Sequence, residues 1–336
     1  MDSLKIHQKV VHGLNFTPKM VEEAIRNNRM LVLDMDFTQK CNLNCYYCDR
    51  TFDRKSVEKH LTTLEEKKKI IKEAKELGTW ALGIVGAGEP MLDPDFYELI
   101  DFITNLDIVP LVYASGSEIK SLEDAKKLEE LKISIMLKYN TEPEKEIDKI
   151  VGKKNHGEQM KKVLKWLIES GFNKSSPTRL GLNVVITKLN EKERENFYNL
   201  YKWCRKNNIY LHGQSLIPKG MGNNVKLLLH KEEALKVLNE TCKIDKEFFD
   251  INYEVVPPIT SGFRCRKINV GLFVNIFGEV WDCNGSGRKL GNIREKSLKE
   301  IWNSDLAKQI RKDLQEGKCH LREYWWKKEK NETEKI

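Results

Sequence analysis

Three cysteines stand within eight residues of one another, at positions 41, 45 and 48 in the sequence CNLNCYYC. Three thiolates on one short loop can bind three corners of an iron–sulfur cube, whereas fully ligated clusters normally use four cysteines. The fourth iron would then be open to a substrate or a cofactor. Zinc sites usually pair one C-x2-C with a second, distant pair, so a zinc knuckle or a chance grouping of thiols is the alternative.

The other five cysteines are spread along the chain, at Cys204, Cys242, Cys265, Cys283 and Cys319. The N-terminal sequence has no apolar segment of the secretory type, and no run of eighteen apolar residues could span a membrane. We therefore expect a cytoplasmic protein with no membrane partner. Structural disulfides are rare in that compartment, so clustered cysteine indicates metal binding there.

The formal net charge is +8 over 336 residues, and it is spread over lysine-rich helices. Such faces are typical of solvated helix surfaces. A nucleic-acid partner is not expected from this pattern, because it lacks a single basic block.

Apolar segments and amphipathic helices alternate from residue 31 onward. Six short strands are predicted, each except the last followed by a helix that leads into the next strand, at residues 31–37, 80–85, 110–114, 133–137, 180–187 and 209–217. This alternation indicates βαβ units and a parallel sheet, with any ligand at the carboxyl ends of the strands. By residues alone the sheet is either doubly wound or an incomplete barrel.

The pattern changes after residue 218, where a helix over 231–246, a β-hairpin over 268–282 and a helix over 297–316 are predicted. We predict four segments: an N-terminal helical extension (1–30), a barrel (31–220), a C-terminal α+β domain (221–325) and a charged tail (326–336).

The motif CNLNCYYC resembles the signature of the radical S-adenosylmethionine enzymes, C-x3-C-x-aromatic-C, with Tyr47 at the aromatic position. The resemblance implies an α/β fold with a partial (β/α)6 TIM-like barrel. It also implies a [4Fe–4S] cluster on Cys41, Cys45 and Cys48, with S-adenosylmethionine on the open iron and Tyr47 near its adenine.

A glycine-rich segment, GAGEP, directly follows the predicted second strand. Its glycines allow a close backbone approach to a ligand, although alone it could be an ordinary strand-to-helix turn. It resembles the family's Gly-Gly-Glu-Pro element, with Ala87 in place of a common glycine. The resemblance implies that Gly86, Ala87, Gly88 and Glu89 hold the methionyl end of the cofactor.

Polar residues at the ends of other strands are further candidates. Ser115 and Asn183 are predicted to contact the cofactor, and Lys138 and His212 are candidate catalytic residues. The alternatives are an exposed lysine and a histidine that only has a structural role. Because side chains alternate along a strand, His212 and Gln214 should share one face.

Cys265 and Cys283 flank the predicted hairpin in the pattern C-x12-G-x4-C, and Cys319 follows the last helix. This arrangement resembles the SPASM/twitch extension, which implies an auxiliary iron–sulfur cluster on these three cysteines. The usual final C-x2-C is missing, since Arg322 stands there. The fourth ligand could be His320, Cys242, a substrate group or none, and three buried thiols without a cluster are the alternative.

The resemblance implies a radical enzyme that cleaves S-adenosylmethionine to a 5′-deoxyadenosyl radical, which then takes hydrogen from a substrate. Only about thirty residues precede the first strand, so a small-molecule substrate such as a sugar or cyclitol, undergoing dehydrogenation or epimerisation, is the main expectation. A peptide-modifying maturase is the alternative, and a non-catalytic iron–sulfur or zinc protein is the rival class. Ferredoxin or flavodoxin is the expected reductant.

Overall fold

The computed structural model describes residues 9–50, 61–140, 143–187, 194–217, 219–222, 229, 231–253, 255, 259–260, 263–264, 267–285 and 287–316. Within these residues, no helix is long and apolar enough to cross a membrane.

Six parallel strands form the centre of the fold, in the spatial order of the chain. They are β1 (Val32–Asp36), β2 (Ala81–Val85), β3 (Val109–Ala114), β4 (Ser134–Lys138), β5 (Leu180–Ile186) and β6 (Tyr210–Ser215). Parallel neighbours joined by helical crossovers are the expected partial (β/α)6 barrel. The sheet is not closed, because β6 and the strand at the opposite end are not paired.

Of the C-terminal strands that the structure describes, three extend the same sheet and two do not. The two-residue strands β7 (Ile259–Thr260) and β8 (Phe263–Arg264) form a separate ribbon. β9 (Gly271–Val274) pairs parallel with β1, and β10 (Glu279–Trp281) and β11 (Lys289–Asn292) follow antiparallel. The predicted hairpin is confirmed for residues 271–281, whereas residues 268–270 belong to a short helix, and the hairpin is part of a nine-stranded sheet.

The helices of the first half are α1 (Pro18–Arg26), α2 (Leu64–Glu76), α3 (Phe96–Asn105), α4 (Leu122–Glu130), α5 (Glu144–Val151), α6 (His156–Glu169) and α7 (Arg194–Lys206). Those of the second half are α8 (Lys231–Phe249), α9 (Lys267–Val270), α10 (Leu298–Trp302) and α11 (Asp305–Gln315). Short 3-10 turns follow β2 (Pro90–Leu92) and β6 (Gly220–Gly222).

The helix predicted over 297–316 is wrong in one respect, because it is two helices. α10 begins at a capping box of Ser297 and Glu300 and ends at Asn303. The Ser304 side chain then accepts a hydrogen bond from the Ala307 N–H and caps α11. Serine favours N-caps over helix interiors, which explains the break.

The two faces of each central strand have different surroundings. Leu33 and Met35 of β1 belong to the main apolar core, whereas Asp34 and Asp36 alternate with them and face the barrel interior. The amino end of that interior is filled by the N-terminal segment 9–16, whose Val10 and Val11 cluster with residues of the strands (Leu111, Met136 and Tyr210). This segment leaves the carboxyl ends of the strands as the place for a ligand.

Candidate functional site

The loop that carries the three clustered thiols, residues 40–48, is anchored by surrounding elements. The N–H groups of Asn44 and Tyr46 donate to the last carbonyls of α5, at 2.8 and 3.0 Å. The hydroxyl of Ser117, just after β3, donates to the Asn42 side chain at 2.8 Å. The Gly222 N–H donates to the carbonyl oxygen of Cys48 at 3.1 Å. The loop therefore has a defined path across the carboxyl ends of the strands.

GAGEP lies directly against this loop. The Glu89 N–H donates to the Lys40 carbonyl oxygen at 2.8 Å. A Cβ on Gly88 would stand 2.1 Å from the same oxygen, so only glycine allows this approach. The adjacent Ala87 N–H donates to the Asp36 carboxylate at 3.0 Å. The glycine-rich segment and the thiol loop are thus neighbours, as the predicted site requires.

Glu89 is buried and offers one oxygen that has no protein partner among the described residues. Its Oε2 accepts from the Ser115 N–H at 2.7 Å, while its Oε1 is buried and unpaired. Burial raises the pKa of Glu89, although the hydrogen bonds from Ser115 oppose this. A buried acceptor without a donor normally has a missing ligand or water. The ammonium group of S-adenosylmethionine is positively charged and could donate a hydrogen bond to this oxygen.

Lys138 ends β4 with an exposed side chain. Crowding by protein atoms lowers its pKa, but the charges of Glu89 and of the three clustered cysteines outweigh this, so the pKa is raised. Lys138 therefore stays protonated and lies within electrostatic range of all these groups. Its role as a catalytic residue stays a prediction.

Two carboxyl groups that sequence reasoning missed lie in the same region. Burial, with the nearby charge of Asp49, raises the pKa of Asp36 to about 8. Burial also raises the pKa of Asp49. Asp36 stands at an inward position of β1, and the alternation of aspartate with apolar residues in this strand was the available signal.

The thiols themselves fit separate irons better than one ion. Burial raises the pKa of Cys45 to about 11, and the charges of Cys48 and Cys41 add to the effect. Within the described part of the chain, no three His, Cys, Asp or Glu side chains could hold one metal ion. Thiolates of a cubane each bind a different iron, so they need not converge on one point.

Polar residues continue around the barrel on β5 and β6. The Asn183 side chain donates to Gln214 at 3.1 Å, so these two residues of neighbouring strands lie on the same face of the sheet. His212 is buried, and its Nδ1 lies 3.2 Å from the Tyr210 hydroxyl. This contact fits the structural role given above as the alternative for His212, and its role as a catalytic residue stays a prediction.

Tyr47 lies between two of the thiols and is held from outside the loop. The Asn140 side chain, two residues after β4, donates to the Tyr47 hydroxyl at 3.1 Å. An apolar group of Leu216, Ile310 and Leu314 packs against both Tyr47 and Cys283. Ile310 and Leu314 belong to α11, so this helix connects the thiol loop to the segment after β10 that carries Cys283.

The auxiliary-cluster prediction can be followed only at Cys283, which lies after β10 and accepts a hydrogen bond from the Gly285 N–H at 3.3 Å. The other residues predicted for that cluster, Cys265, Cys319 and His320, lie outside the described residues. Cys242 is on α8, where its thiol donates to the Tyr253 carbonyl at 2.9 Å. Cys204 is fully buried in the core.

A partial barrel with a three-thiol loop after its first strand, tied to a glycine-rich turn after its second, defines an iron–sulfur enzyme of S-adenosylmethionine. Comparison with protein families agrees: residues 35–201 match the Radical SAM superfamily, and residues 265–322 match the SPASM iron-sulfur cluster-binding domain. The chain belongs to the Radical SAM superfamily and carries a C-terminal SPASM domain.

Curated relatives are distant. An AdoMet-dependent heme synthase of Methanosarcina barkeri is 26% identical over 88% of this chain and 89% of its own length. Mycofactocin maturase MftC of Mycolicibacterium smegmatis is 23% identical over 90% of this chain and 78% of its own length. PqqA peptide cyclase of Gluconobacter oxydans is 24% identical over 80% of this chain and 75% of its own length.

Solved structures share the fold. Streptococcus suis SuiB aligns with a TM-score of 0.63 at 18% identity, over 88% of this chain and 71% of SuiB. The peptide complex of anSMEcpe with AdoMet also aligns with a TM-score of 0.63 at 18% identity, over 86% of this chain and 84% of that one.

The enzyme therefore binds a [4Fe–4S] cluster and S-adenosylmethionine, with an auxiliary iron–sulfur cluster in the SPASM domain. When bound, the cluster supplies the electron that splits the cofactor's carbon–sulfur bond. We predict that Cys41, Cys45 and Cys48 hold it, and that the unpaired Glu89 oxygen receives the cofactor's ammonium group.

Proposed function

We propose that this enzyme modifies a peptide, using the 5′-deoxyadenosyl radical to take a hydrogen atom from one residue of that peptide. The observation that carries the radical part is the contact of Glu89 with Lys40, because it sets the cofactor-binding turn against the thiol loop. The barrel interior beyond that contact is where the substrate would bind.

Support for a peptide comes from the relatives and the fold. The names of MftC and PqqA peptide cyclase identify a maturase and a peptide cyclase. SuiB has been solved with the precursor peptide SuiA, and anSMEcpe with a bound peptide. The chain covers 84% of anSMEcpe, which itself binds a peptide. The small number of residues before β1 is therefore a weak reason to prefer a small-molecule substrate.

Charge in the interior bears on the modified residue. The carboxyl groups of Asp34, Asp36 and Asp49 line or border the same region as Lys138. Because burial raises the pKa of Asp36 to about 8, this carboxyl group is largely uncharged at neutral pH, so the lining suits a neutral polar side chain better than a carboxylate-rich ligand. A small polyol molecule is the second candidate for the same reason.

The test uses anaerobically reconstituted enzyme with a chemical reductant and synthetic peptides encoded by short reading frames beside its gene. We expect one such peptide to stimulate the formation of 5′-deoxyadenosine. When that peptide carries deuterium at the modified residue, the deuterium should appear in 5′-deoxyadenosine. Stimulation by cyclitols or amino sugars, with none by any peptide, would contradict the peptide assignment. The Cys41→Ala variant is the control, and it should form no 5′-deoxyadenosine.

The reductant is part of the proposal. Ferredoxin or flavodoxin would supply the electron, and replacing the chemical reductant by either protein should sustain turnover. Failure of both, with dithionite active, would contradict this partner.

A further inference from the structure

The contact between Asn140 and Tyr47 joins two distant parts of the chain. The Asn140 amide donates to the tyrosine hydroxyl at 3.1 Å, and its carbonyl oxygen lies 3.4 Å from the same hydroxyl. Asn140 is only 8% exposed. A buried amide is normally hydrogen-bonded, and here the partner is 93 residues away.

Tyr47 occupies the turn between two thiols. The Cys48 N–H donates to the Cys45 carbonyl oxygen at 3.1 Å, so the residues between them form a compact turn. The rings of Tyr46 and Tyr47 meet edge to face, with centroids 5.2 Å apart. Because the turn is compact, a displacement of the Tyr47 side chain would move the adjacent thiols with it.

The other anchors described for this loop act mainly on its main chain. They hold Lys40, Asn44, Tyr46 and Cys48 through backbone atoms. Asn140 acts on a side chain instead, and it comes from the end of β4, two residues after Lys138. Together with the apolar group of Leu216, Ile310 and Leu314 that packs against Tyr47, Asn140 therefore restrains the orientation of this side chain relative to the strand ends.

We propose that Asn140 is a positioning residue that holds Tyr47, and with it the turn over residues 45–48, in the orientation that binds S-adenosylmethionine. The proposal concerns the cofactor and is independent of the substrate. It predicts that Asn140 and the Tyr47 hydroxyl act as one unit.

The test is a double-mutant cycle on reconstituted enzyme with Tyr47→Phe, Asn140→Ala and the double variant. The readouts are the dissociation constant of S-adenosylmethionine and the change that it causes in the EPR spectrum of the reduced cluster. A typical hydrogen bond is worth about a factor of five in an equilibrium constant. Losing the bond between Asn140 and Tyr47 should therefore weaken the binding of S-adenosylmethionine about fivefold. We expect that loss in each single variant, no further loss in the double variant, and a smaller EPR change in all three.

A structural role alone would lower stability without moving these readouts, so iron content and the unfolding midpoint are measured beside them. Asn173→Ala is the matched control, because its amide donates to the Asn207 carbonyl at 2.7 Å in the segment between α6 and β5, far from the loop. This variant should keep cofactor affinity and the EPR change.

Independent, multiplicative losses in the double variant would overturn the proposal, as would unchanged affinity in Asn140→Ala. Should Asn140→Ala fail to retain its cluster, Tyr47→Phe still decides, since it keeps the ring. Unchanged cofactor affinity in that variant would also overturn the proposal.

Discussion

The backbone N–H of Glu89 donates to the carbonyl oxygen of Lys40 at 2.8 Å, one residue before the first clustered cysteine. This bond joins the loops that follow β1 and β2, whose strands are paired in register from Val32 and Ala81 onward. The relative position of the glycine-rich turn and the thiols is therefore set by main-chain atoms.

Replacing Gly88 by Ala should separate these loops. The new Cβ would stand 2.1 Å from the Lys40 carbonyl oxygen. Because this oxygen belongs to the main chain, relieving the clash requires a shift of the backbone, which costs free energy. We expect S-adenosylmethionine to bind at least about fivefold more weakly, since overpacking costs about 1–3 kcal/mol. Gly291→Ala is the control, because its Cβ would meet only Ile301 side-chain carbons at 3.1 Å. Equal affinities in the two variants would refute the explanation.

Removing any one of the clustered thiols should remove the radical chemistry. We expect Cys41→Ala, Cys45→Ala and Cys48→Ala each to lose the iron of one cluster and all 5′-deoxyadenosine formation, measured by metal analysis and chromatography. Cys204→Ala should keep its iron, because that thiol is buried in the apolar core. Retained product in any of the three would exclude that cysteine as a ligand.

The carboxyl group of Asp36 should make stability depend on pH. Its pKa is raised to about 8, mainly by burial, so the folded state holds this proton more tightly than the unfolded state. Its contribution to the free energy of unfolding is full below about pH 4 and is lost as the pH rises through about 8. Asp36→Asn should therefore gain stability relative to the wild type between about pH 5.5 and 8.5 in urea denaturation.

The control for this titration is Asp101→Asn, which changes an exposed carboxylate on α3. Parallel pH profiles for the wild type and Asp36→Asn would show that Asp36 does not titrate in this range.

A buried ion pair between Arg205 and Asp245 joins α7 to α8. The guanidinium donates twice to the carboxylate, at 2.8 and 2.7 Å, and the Tyr201 hydroxyl donates at 2.6 Å. Asp245→Ala should lower the free energy of unfolding by about 3–5 kcal/mol, because it leaves a buried cation unpaired. The double variant that combines Arg205→Met with Asp245→Leu should cost less, since it removes both charges and keeps apolar volume in their place.

The comparison for that pair is Glu146→Ala, which breaks an ion pair with Lys149 on the surface of α5. Little change in stability is expected there, since exposed pairs contribute little. A small effect of Asp245→Ala in the same denaturation experiment would show that the buried network is dispensable.

Local sequence was sufficient for the strands and for the motifs that follow them. The predicted β2 ends at Val85, as in the structure, because an apolar run meets a glycine-rich turn. The helix α5 was missed: its sequence, EKEIDKIV, is short and charged, although it anchors the thiol loop through its last carbonyls.

Contacts between distant segments could not be predicted in this way. Asn140 follows β4 with no motif around it, and its role depends on the thiol loop passing over that strand end. The pKa of Asp36 is raised by burial and, in addition, by the charge of Asp49. Asp49 directly follows Cys48, so this effect depends on how the thiol loop lies over the strand ends. Such relationships depend on the order of strands in the sheet rather than on spacing in the chain.

The pairing of β9 with β1 has a consequence for handling the protein. A polypeptide that stops after β6 would leave β1 with an unsatisfied row of amide and carbonyl groups, since residues 32–35 pair there with Gly271–Val274. Bare strand edges recruit other chains. The barrel segment expressed alone should therefore aggregate, whereas the two halves supplied together as separate polypeptides could re-form the shared sheet.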